Sequence, residues 1–507
     1  MDVLNTFMTW IFKIRIGQID NFKKNPIEVQ QGIFFDLIKS AKSTQFGKKY
    51  GFSDIRSPKD FDRNVPIHNY EEMQPYIEQT MKGEQNVIWP SEISWFSKSS
   101  GTTGSRSKFI PVSQESLEDC HFKGGKDMLS LYVNNYPDSK LFTGKSLAIG
   151  GSSEVNALDI NKNSQYGDIS AVIMRNLPVW AQLARTPSLE TALMSEWEEK
   201  IEKMAKETME ENVLSISGVP TWTIVLLQRI MELTNSSNIL EVWPNLEVFF
   251  HGAVAFGPYR KLFSELIPSE SMRYMETYNA SEGFFGIQDQ KNSDELLLML
   301  DYGIYYEFIP MDEWDRDDPK VLPLEEVEIG KNYALIISTN GGLWRYKIGD
   351  TVKFTSIRPY RIRISGRTKH FINAFGEEVI VENAEKAIEI AADATGAIVV
   401  NFTAAPIYFE GSDGKGAHEW IIEFSKAPND EAVFSEKLDA ALREINSDYD
   451  AKRYKDMALD RPKIHFVTEE GIFEKWMKSR GKLGGQNKVP RLANNREYID
   501  TILELMK

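Results

Sequence analysis

The chain has a single cysteine, Cys120, among its 507 residues. No disulfide can form within it and no cysteine-based metal site can be assembled, so the sequence suits a reducing, cytoplasmic setting. Positive charge is also scarce: 59 Lys and Arg stand against 74 Asp and Glu, a net charge of −15. Nucleic acids and anionic membranes both require a basic face, so neither partner is expected, although a local basic pocket for phosphates remains open. No stretch is long and apolar enough to span a bilayer, and no stable membrane insertion is expected. The apolar start MDVLNTFMTWIFKIRIGQ carries Lys13 and Arg15 after its apolar part. A secretory signal carries its cations before that part, so a helix packed on the body is expected instead. Long linkers, low-complexity runs and internal repeats are missing as well.

What is present is enough for a large core. Hydrophobic residues make up 42% of the chain, aromatics 11%, and there are 11 Trp. That composition argues against disorder, and the length suggests two to four domains. Residues 1–50 read as helices. Strand-like runs at Ser146–Gly150, Val213–Ser217, Leu246–His251 and Ser271–Thr277 alternate with helical patterns, notably Leu189–Met209 and Thr221–Leu233. Alternation of this kind predicts an α/β architecture with much of the sheet parallel. Leu296–Phe308 and Tyr333–Lys353 read as antiparallel strands, with Asn340-Gly341-Gly342 as a turn. Beyond Gly366 the order becomes strand, helix, two strands, helix, strand, which is that of a small ferredoxin-like α+β unit. The expected division is therefore a large N-terminal domain, 1–366, with mixed and parallel sheets and helices, and a small C-terminal domain, 367–507.

The most informative segment is FSKSSGTTGSRSKFIPVS, Phe96–Ser113. Ser99, Ser100, Gly101, Thr102, Thr103 and Gly104 are contiguous, and Arg106 and Lys108 follow. Small residues let backbone N–H groups approach phosphate oxygens, while hydroxyls and cations add donors. The segment is a candidate polyphosphate cradle, though no Walker A pattern can be laid over it. Taken alone, the same composition also suits a plain turn.

Three further motifs follow in order: YNASE (Tyr278–Glu282) after RYMET, WRYKIGD (Trp344–Asp350), and SGRTK (Ser365–Lys369) continuing into HFINAFGEEV. Together they resemble the acyl-adenylate-forming superfamily, whose patterns run SGTTG…K, YxxTE, YRTGD and GRxDDxIKxxG. A finer resemblance runs nearly end to end. IDNFKKNPIEVQ, the Ser/Gly/Thr loop, SISGVPTW (Ser215–Trp222), YNASE and the terminal GGQNKVPRL (Gly484–Leu492) are similar to the auxin-responsive, Gretchen-Hagen type family of acyl-acid amido synthetases. The chain resembles a bacterial-style member more than a plant hormone enzyme. It departs from the wider superfamily at the loop, where Lys108 lies four residues after Gly104 rather than three, with no preceding Pro.

The resemblance implies the acyl-adenylate-forming fold and a two-step ligase. ATP activates a small carboxylic acid as its adenylate; an amino acid, or alternatively coenzyme A, then takes the acyl group. A nucleotide-binding protein without catalysis is the third possibility. ATP and Mg²⁺ are the implied cofactors, and a monomer is expected. Under this resemblance Ser99, Ser100, Gly101, Thr102, Thr103 and Lys108 hold phosphates, with Ser281 assisting. Glu282 binds Mg²⁺, as a hard cation wants carboxylate oxygen. Tyr278 stacks on adenine. Asp350 accepts hydrogen bonds from the ribose hydroxyls, and Arg367 contacts ribose or phosphate with its permanently charged fork. Lys488 is the catalytic cation that bridges the carboxylate and the α-phosphate. Lys369 is the hinge residue. Val219, Trp222, His251, Gly252 and Ala253 fall where the superfamily lines its acyl site. Arg345 and Lys347 add basic character near the nucleotide, or pair with acids elsewhere.

Overall fold

The computed structural model describes residues 3–99, 108–151, 156–158, 161–254, 256–314, 316, 318–368, 371–408, 415–453, 458–468, 471–480 and 489–506. Among these, the backbone is organised by one sheet of 12 strands. Its parallel half runs, in spatial order, Arg273–Ala280, Val248–His251, Val213–Gly218, Lys145–Ala148 and Arg185–Thr186. Its antiparallel half continues from the other edge of Arg273–Ala280 through Gly283–Ile287, Leu296–Leu298, Tyr360–Arg367, Tyr346–Ile357, Asn332–Thr339 and Ile304–Pro310 to Leu322–Pro323. The YNASE strand is thus the seam between the two halves. A second sheet of four strands orders Lys108–Val112, Trp95–Ser99, Asn161–Gly167 and Asn156–Leu158.

The parallel half arises as its alternating pattern predicts. Helix Trp197–Thr208 precedes strand Val213–Gly218, helix Pro220–Thr234 follows it, and helix Arg260–Leu266 leads into Arg273–Ala280. Helix Pro220–Thr234 begins with Pro220, whose missing N–H costs nothing in a first turn. It ends at Asn235, which takes the left-handed conformation (φ 53°). Its buried Ile224, Leu226, Leu227 and Ile230 face the core.

Two expected elements divide. Leu189–Met209 is two helices, Leu189–Ala192 and Trp197–Thr208, and the break starts the second helix at Trp197, on the wall of the central cleft. Leu296–Phe308 is two strands, Leu296–Leu298 and Ile304–Pro310, with Gly303 at φ +66° immediately before the second. The amphipathic pattern of the first segment and the largely apolar run of the second continue up to their breaks, so pattern alone hides them. The Asn340-Gly341-Gly342 turn is present, with Gly342 at φ +91°.

In the C-terminal unit, helices Val381–Thr395 and Glu431–Ile445 pack together beside a three-stranded sheet. Ile398–Ile407 is antiparallel to Ala417–Lys426, which is parallel to Lys463–Val467. The leading strand of the ferredoxin-like order is not in this sheet: Phe371–Ile372 pairs with Val379–Ile380 in a separate ribbon. The free edge of Ile398–Ile407 is met by the chain end, where Ala404 N donates to Arg491 O (2.9 Å) and Ala493 N to Ala404 O (3.1 Å).

The ribbon packs on the large N-terminal part. Thr221 Oγ1 donates to Phe375 O at 2.9 Å, and Tyr259 donates its hydroxyl to Ala374 O. One buried apolar cluster joins Trp222, Phe249 and Tyr259 to Phe375, Trp420, Leu438 and Tyr449. Among the described residues no helix is long and apolar enough to cross a membrane.

Candidate active site

Four segments far apart in sequence meet in a chain of contacts. Strands Trp95–Ser99 and Lys108–Val112 pair antiparallel with Ser99 opposite Lys108, so they flank positions 100–107. Ser97, near the end of the first strand, donates its hydroxyl to Ser281 Oγ at 2.8 Å. Ser281 and Glu282 are the two turn residues between Ala280 and Gly283, which pair directly. One strand back, Tyr278 donates its hydroxyl to Asp350 Oδ2 at 2.6 Å. Asp350 pairs with Arg367 across the neighbouring strands. Gly349, at φ +94°, turns its carbonyl to accept from Thr368 N at 2.8 Å. Motif one therefore touches motif two, two touches three, and three touches four.

These residues border a cleft of about 2040 Å³. Lys108, Tyr278, Ser281, Glu282 and Asp350 line it together with Val219, Trp222, His251, Gly252 and Ala253. Ser100, Gly101, Thr102, Thr103, Lys369 and Lys488 lie outside the described residues, and Ser99 and Arg367 are described by backbone only. The cleft opens at the carboxyl ends of the parallel strands, where Gly218 and His251 terminate their strands. Open α/β sheets bind their ligands at this end.

The local chemistry differs from residue to residue. Tyr278 is 5% exposed and its ring packs on Phe285 at 4.9 Å. With its hydroxyl on Asp350, it orients that carboxylate. A Cβ on Gly252 would fall 2.5 Å from the Thr277 carbonyl oxygen, so the close approach of the two strands here requires glycine. Ala253 follows at φ +70°. His251 is buried, stacks on Phe256 at 4.0 Å, and its Nδ1 has no hydrogen-bond partner among the described residues. Burial, reinforced by Arg260, pushes its pKa down to about 3, so the ring is neutral. Trp222 is largely a core side chain, stacked on Trp197 with centroids 3.9 Å apart.

Arg345 belongs elsewhere. It is 2% exposed and turned away from the cleft, bound to Glu307 (3.1 Å), Asp62 (2.6 Å) and the Val65 carbonyl (2.7 Å). Lys347 lies over the Trp314 ring at 5.0 Å.

Several cleft residues carried no motif. Glu276 lines the cleft beside His251, its neighbour in the parallel register. Burial, with Asp294, lifts its carboxyl to about 7 against the pull of Arg260. Lys452 lines the cleft from a buried position. Only Glu276 had a signal, its place in the strand before YNASE.

Models of the GH3 family match most of the chain: its N-terminal domain at residues 15–272, its central domain at 297–367 and its C-terminal domain at 382–497. The chain belongs to the GH3 family. Among GH3 relatives, the indole-3-acetic acid-amido synthetase GH3.3 of Arabidopsis thaliana is 22% identical, covering 96% of this chain and 92% of its own length. The 4-substituted benzoates-glutamate ligase GH3.12 of the same plant is 23% identical, with 96% of both chains covered. In fold, the chain is similar to the GH3.15 acyl acid amido synthetase in complex with 2,4-DB, at a TM-score of 0.63 and 18% identity over 97% of this chain and 96% of that one. A 2-hydroxyisobutyryl-CoA ligase shares the fold at a TM-score of 0.52 and 13% identity, over 94% and 90%.

Proposed function

We propose that this GH3 chain is an ATP-dependent, AMP-forming carboxylate–amine ligase that joins a small carboxylic acid to an amino acid. The observation that carries the reading is the convergence of Ser97–Ser281, Tyr278–Asp350 and the Asp350–Arg367 pairing on one cleft, in a family whose relatives include an indole-3-acetic acid-amido synthetase and a 4-substituted benzoates-glutamate ligase. In the first step a carboxylate oxygen attacks the α-phosphorus of ATP, and pyrophosphate leaves with the bonding electrons. In the second, the amine attacks the acyl carbon and sheds a proton, and AMP leaves.

Displacement at phosphorus depends mainly on positioning and charge neutralisation. Ser99–Thr103 and Lys108 hold the β- and γ-phosphates, with Ser281 steadied by Ser97. Asp350, oriented by Tyr278, accepts from the ribose hydroxyls, and the buried setting strengthens those bonds. Tyr278 borders the adenine. Arg367 contacts ribose or phosphate. Lys488 neutralises the charge that builds between the carboxylate and the α-phosphate. Among the described residues no cluster of three His, Cys, Asp or Glu side chains stands ready to cage a metal. Glu282 alone fits Mg²⁺, which is commonly held by one carboxylate plus substrate phosphates. Bound there, the ion would neutralise phosphate charge. The apolar wall of the cleft, with Val219, Trp222, Ala253 and the neutral His251, receives the acyl chain.

Residues 367–507 act as a small domain hinged at Lys369 on the large domain 1–366, closing for adenylation and reopening for acyl transfer. A cytoplasmic monomer is the matching setting; the one thiol, Cys120, is buried and pushed up to about 12.

The test is incubation with ATP, Mg²⁺ and pooled small carboxylic acids, with amino acids and coenzyme A both present. AMP and pyrophosphate are quantified and products are identified by mass spectrometry. Acid-dependent AMP with an acyl-amino acid is expected. An acyl-CoA product instead overturns the acceptor, and absence of AMP with every acid overturns the ligase.

A further inference from the structure

The stacked rings of Trp197 and Trp222 have an ammonium group on each side. Their centroids lie 3.9 Å apart with a 6° tilt, which leaves no space between them, so both cations sit on outer faces. Lys200 Nζ is 4.4 Å from the Trp197 centroid and Lys452 Nζ is 4.2 Å from that of Trp222. Cation–π attraction is a real but partial replacement for lost water.

The two lysines are not equivalent. Lys200 is hydrogen-bonded: its Nζ donates to the carbonyls of Gly150 (2.6 Å) and Gly151 (3.1 Å). Lys452 is only 5% exposed, yet its ammonium forms no hydrogen bond or ion pair with any described residue. Asp448, Glu377 and Asp168 act on it only from beyond ion-pairing distance. Its side chain lines the cleft. Gly376 lies beside its tip: a Cβ there would make ordinary contact, at 3.5 Å, with Lys452 Cε and Nζ. Gly376 also adopts φ +88°. Burial pushes the Lys452 pKa down to about 8. Burying a cation without a counter-charge is costly, and an anion arriving in the cleft offsets that cost.

We infer that Lys452 binds the carboxylate of the acceptor amino acid, with the Trp222 ring as the surface beneath its ammonium. The assignment rests on the ligase reading above. The carboxylate of the acyl acid loses its charge when it becomes the adenylate, and the phosphates are taken by Ser99–Lys108 and Ser281. The acceptor's carboxylate is the anion that persists through acyl transfer. Lys452 also comes from helix Ser447–Arg453 of the small unit, whereas Trp222 belongs to the large one. A site completed by the small domain suits the substrate that enters second.

The test compares wild type with Lys452→Met, which keeps length and removes charge, and Lys452→Arg, which keeps charge. The acceptors are the best of the common L-amino acids and its α-carboxamide. Amide formation is measured with each, and acid-dependent pyrophosphate release is measured without an acceptor. For Lys452→Met, kcat/KM for the amino acid should fall ~10–100-fold, the loss of one buried charge-assisted hydrogen bond. The loss should appear mainly in KM. The wild-type preference for the amino acid over its carboxamide should collapse, adenylation should not share the loss, and Lys452→Arg should recover part of it. Equal losses with both acceptors, or a matching loss in pyrophosphate release, would overturn the assignment. The second pattern would mean that Lys452 serves the acyl acid or a phosphate. If Lys452→Met fails to fold, Lys452→Gln enters the same comparison. A wild-type enzyme that conjugates no amino acid sinks the ligase reading and this assignment together. Retained selectivity in an active variant sinks this assignment alone.

Discussion

Replacing Tyr278 by Phe removes one oxygen atom and isolates the link between the second and third motifs. The ring stays, because it is 5% exposed and packed on Phe285. What is lost is the 2.6 Å hydrogen bond to Asp350 Oδ2. A hydrogen bond to a charged group contributes about 1.5–3 kcal/mol, or ~10–150-fold in an equilibrium constant. Asp350 has a further interaction, so the lower end of that range applies. If Asp350 holds ribose in ground and transition states alike, the loss falls on KM for ATP, with kcat little changed. The assay is pyrophosphate release at varied ATP, with the preferred acid saturating. The decisive form is a double-mutant cycle with Asp350→Asn. Tyr278→Phe should raise KM for ATP about tenfold in the wild-type background and hardly at all once Asp350 is already altered. Equal effects in the two backgrounds, or an unchanged KM in the first, would refute the positioning argument.

Two predictions concern the frame around the cleft. Arg345→Ala leaves the Glu307 carboxylate buried without its partner, a change that costs on the order of 3–5 kcal/mol. The urea midpoint should fall sharply while pyrophosphate release per folded molecule is retained; a large kinetic defect in the folded fraction would return Arg345 to the nucleotide site. In the small unit, burial works against ionisation of Glu419, but His465, Lys463 and Arg496 together hold its carboxyl down at about 2. Its folded pKa lies below the unfolded value of about 4.3, so its contribution is present above that pH and is lost as pH falls toward 2. Urea titrations at stepped pH should show a shallower acid limb for Glu419→Gln than for wild type; parallel acid limbs would refute the assignment.

The alternation of apolar strands and helices between Lys145 and Ala280 was legible because a parallel, doubly covered sheet needs apolar strands regardless of neighbours. The breaks at 193–196 and 299–303 were not, since where each half ends depends on what it packs against. The leading strand of the C-terminal unit also escaped the pattern. It pairs locally with Val379–Ile380, and Ala417–Lys426 pairs directly with Lys463–Val467 instead. Arg345 shows the same limit at the level of one side chain. Its place beside Tyr346 and Asp350 suggested the nucleotide, but φ +42° and a buried carboxylate at Glu307 draw it to the opposite side.

The sequence by itself determined the four motifs, their order and the chemistry each residue type can perform. Those properties are local: a Gly-rich turn, a carboxylate after a glycine, a cation near a chain end. The tertiary structure alone decided that Ser97 meets Ser281, that Tyr278 serves Asp350, and that two lysines of ordinary-looking helices are buried against a tryptophan pair. Contact, desolvation and the loss of water around a charge depend on which surfaces the folded chain brings together, and no local pattern encodes them.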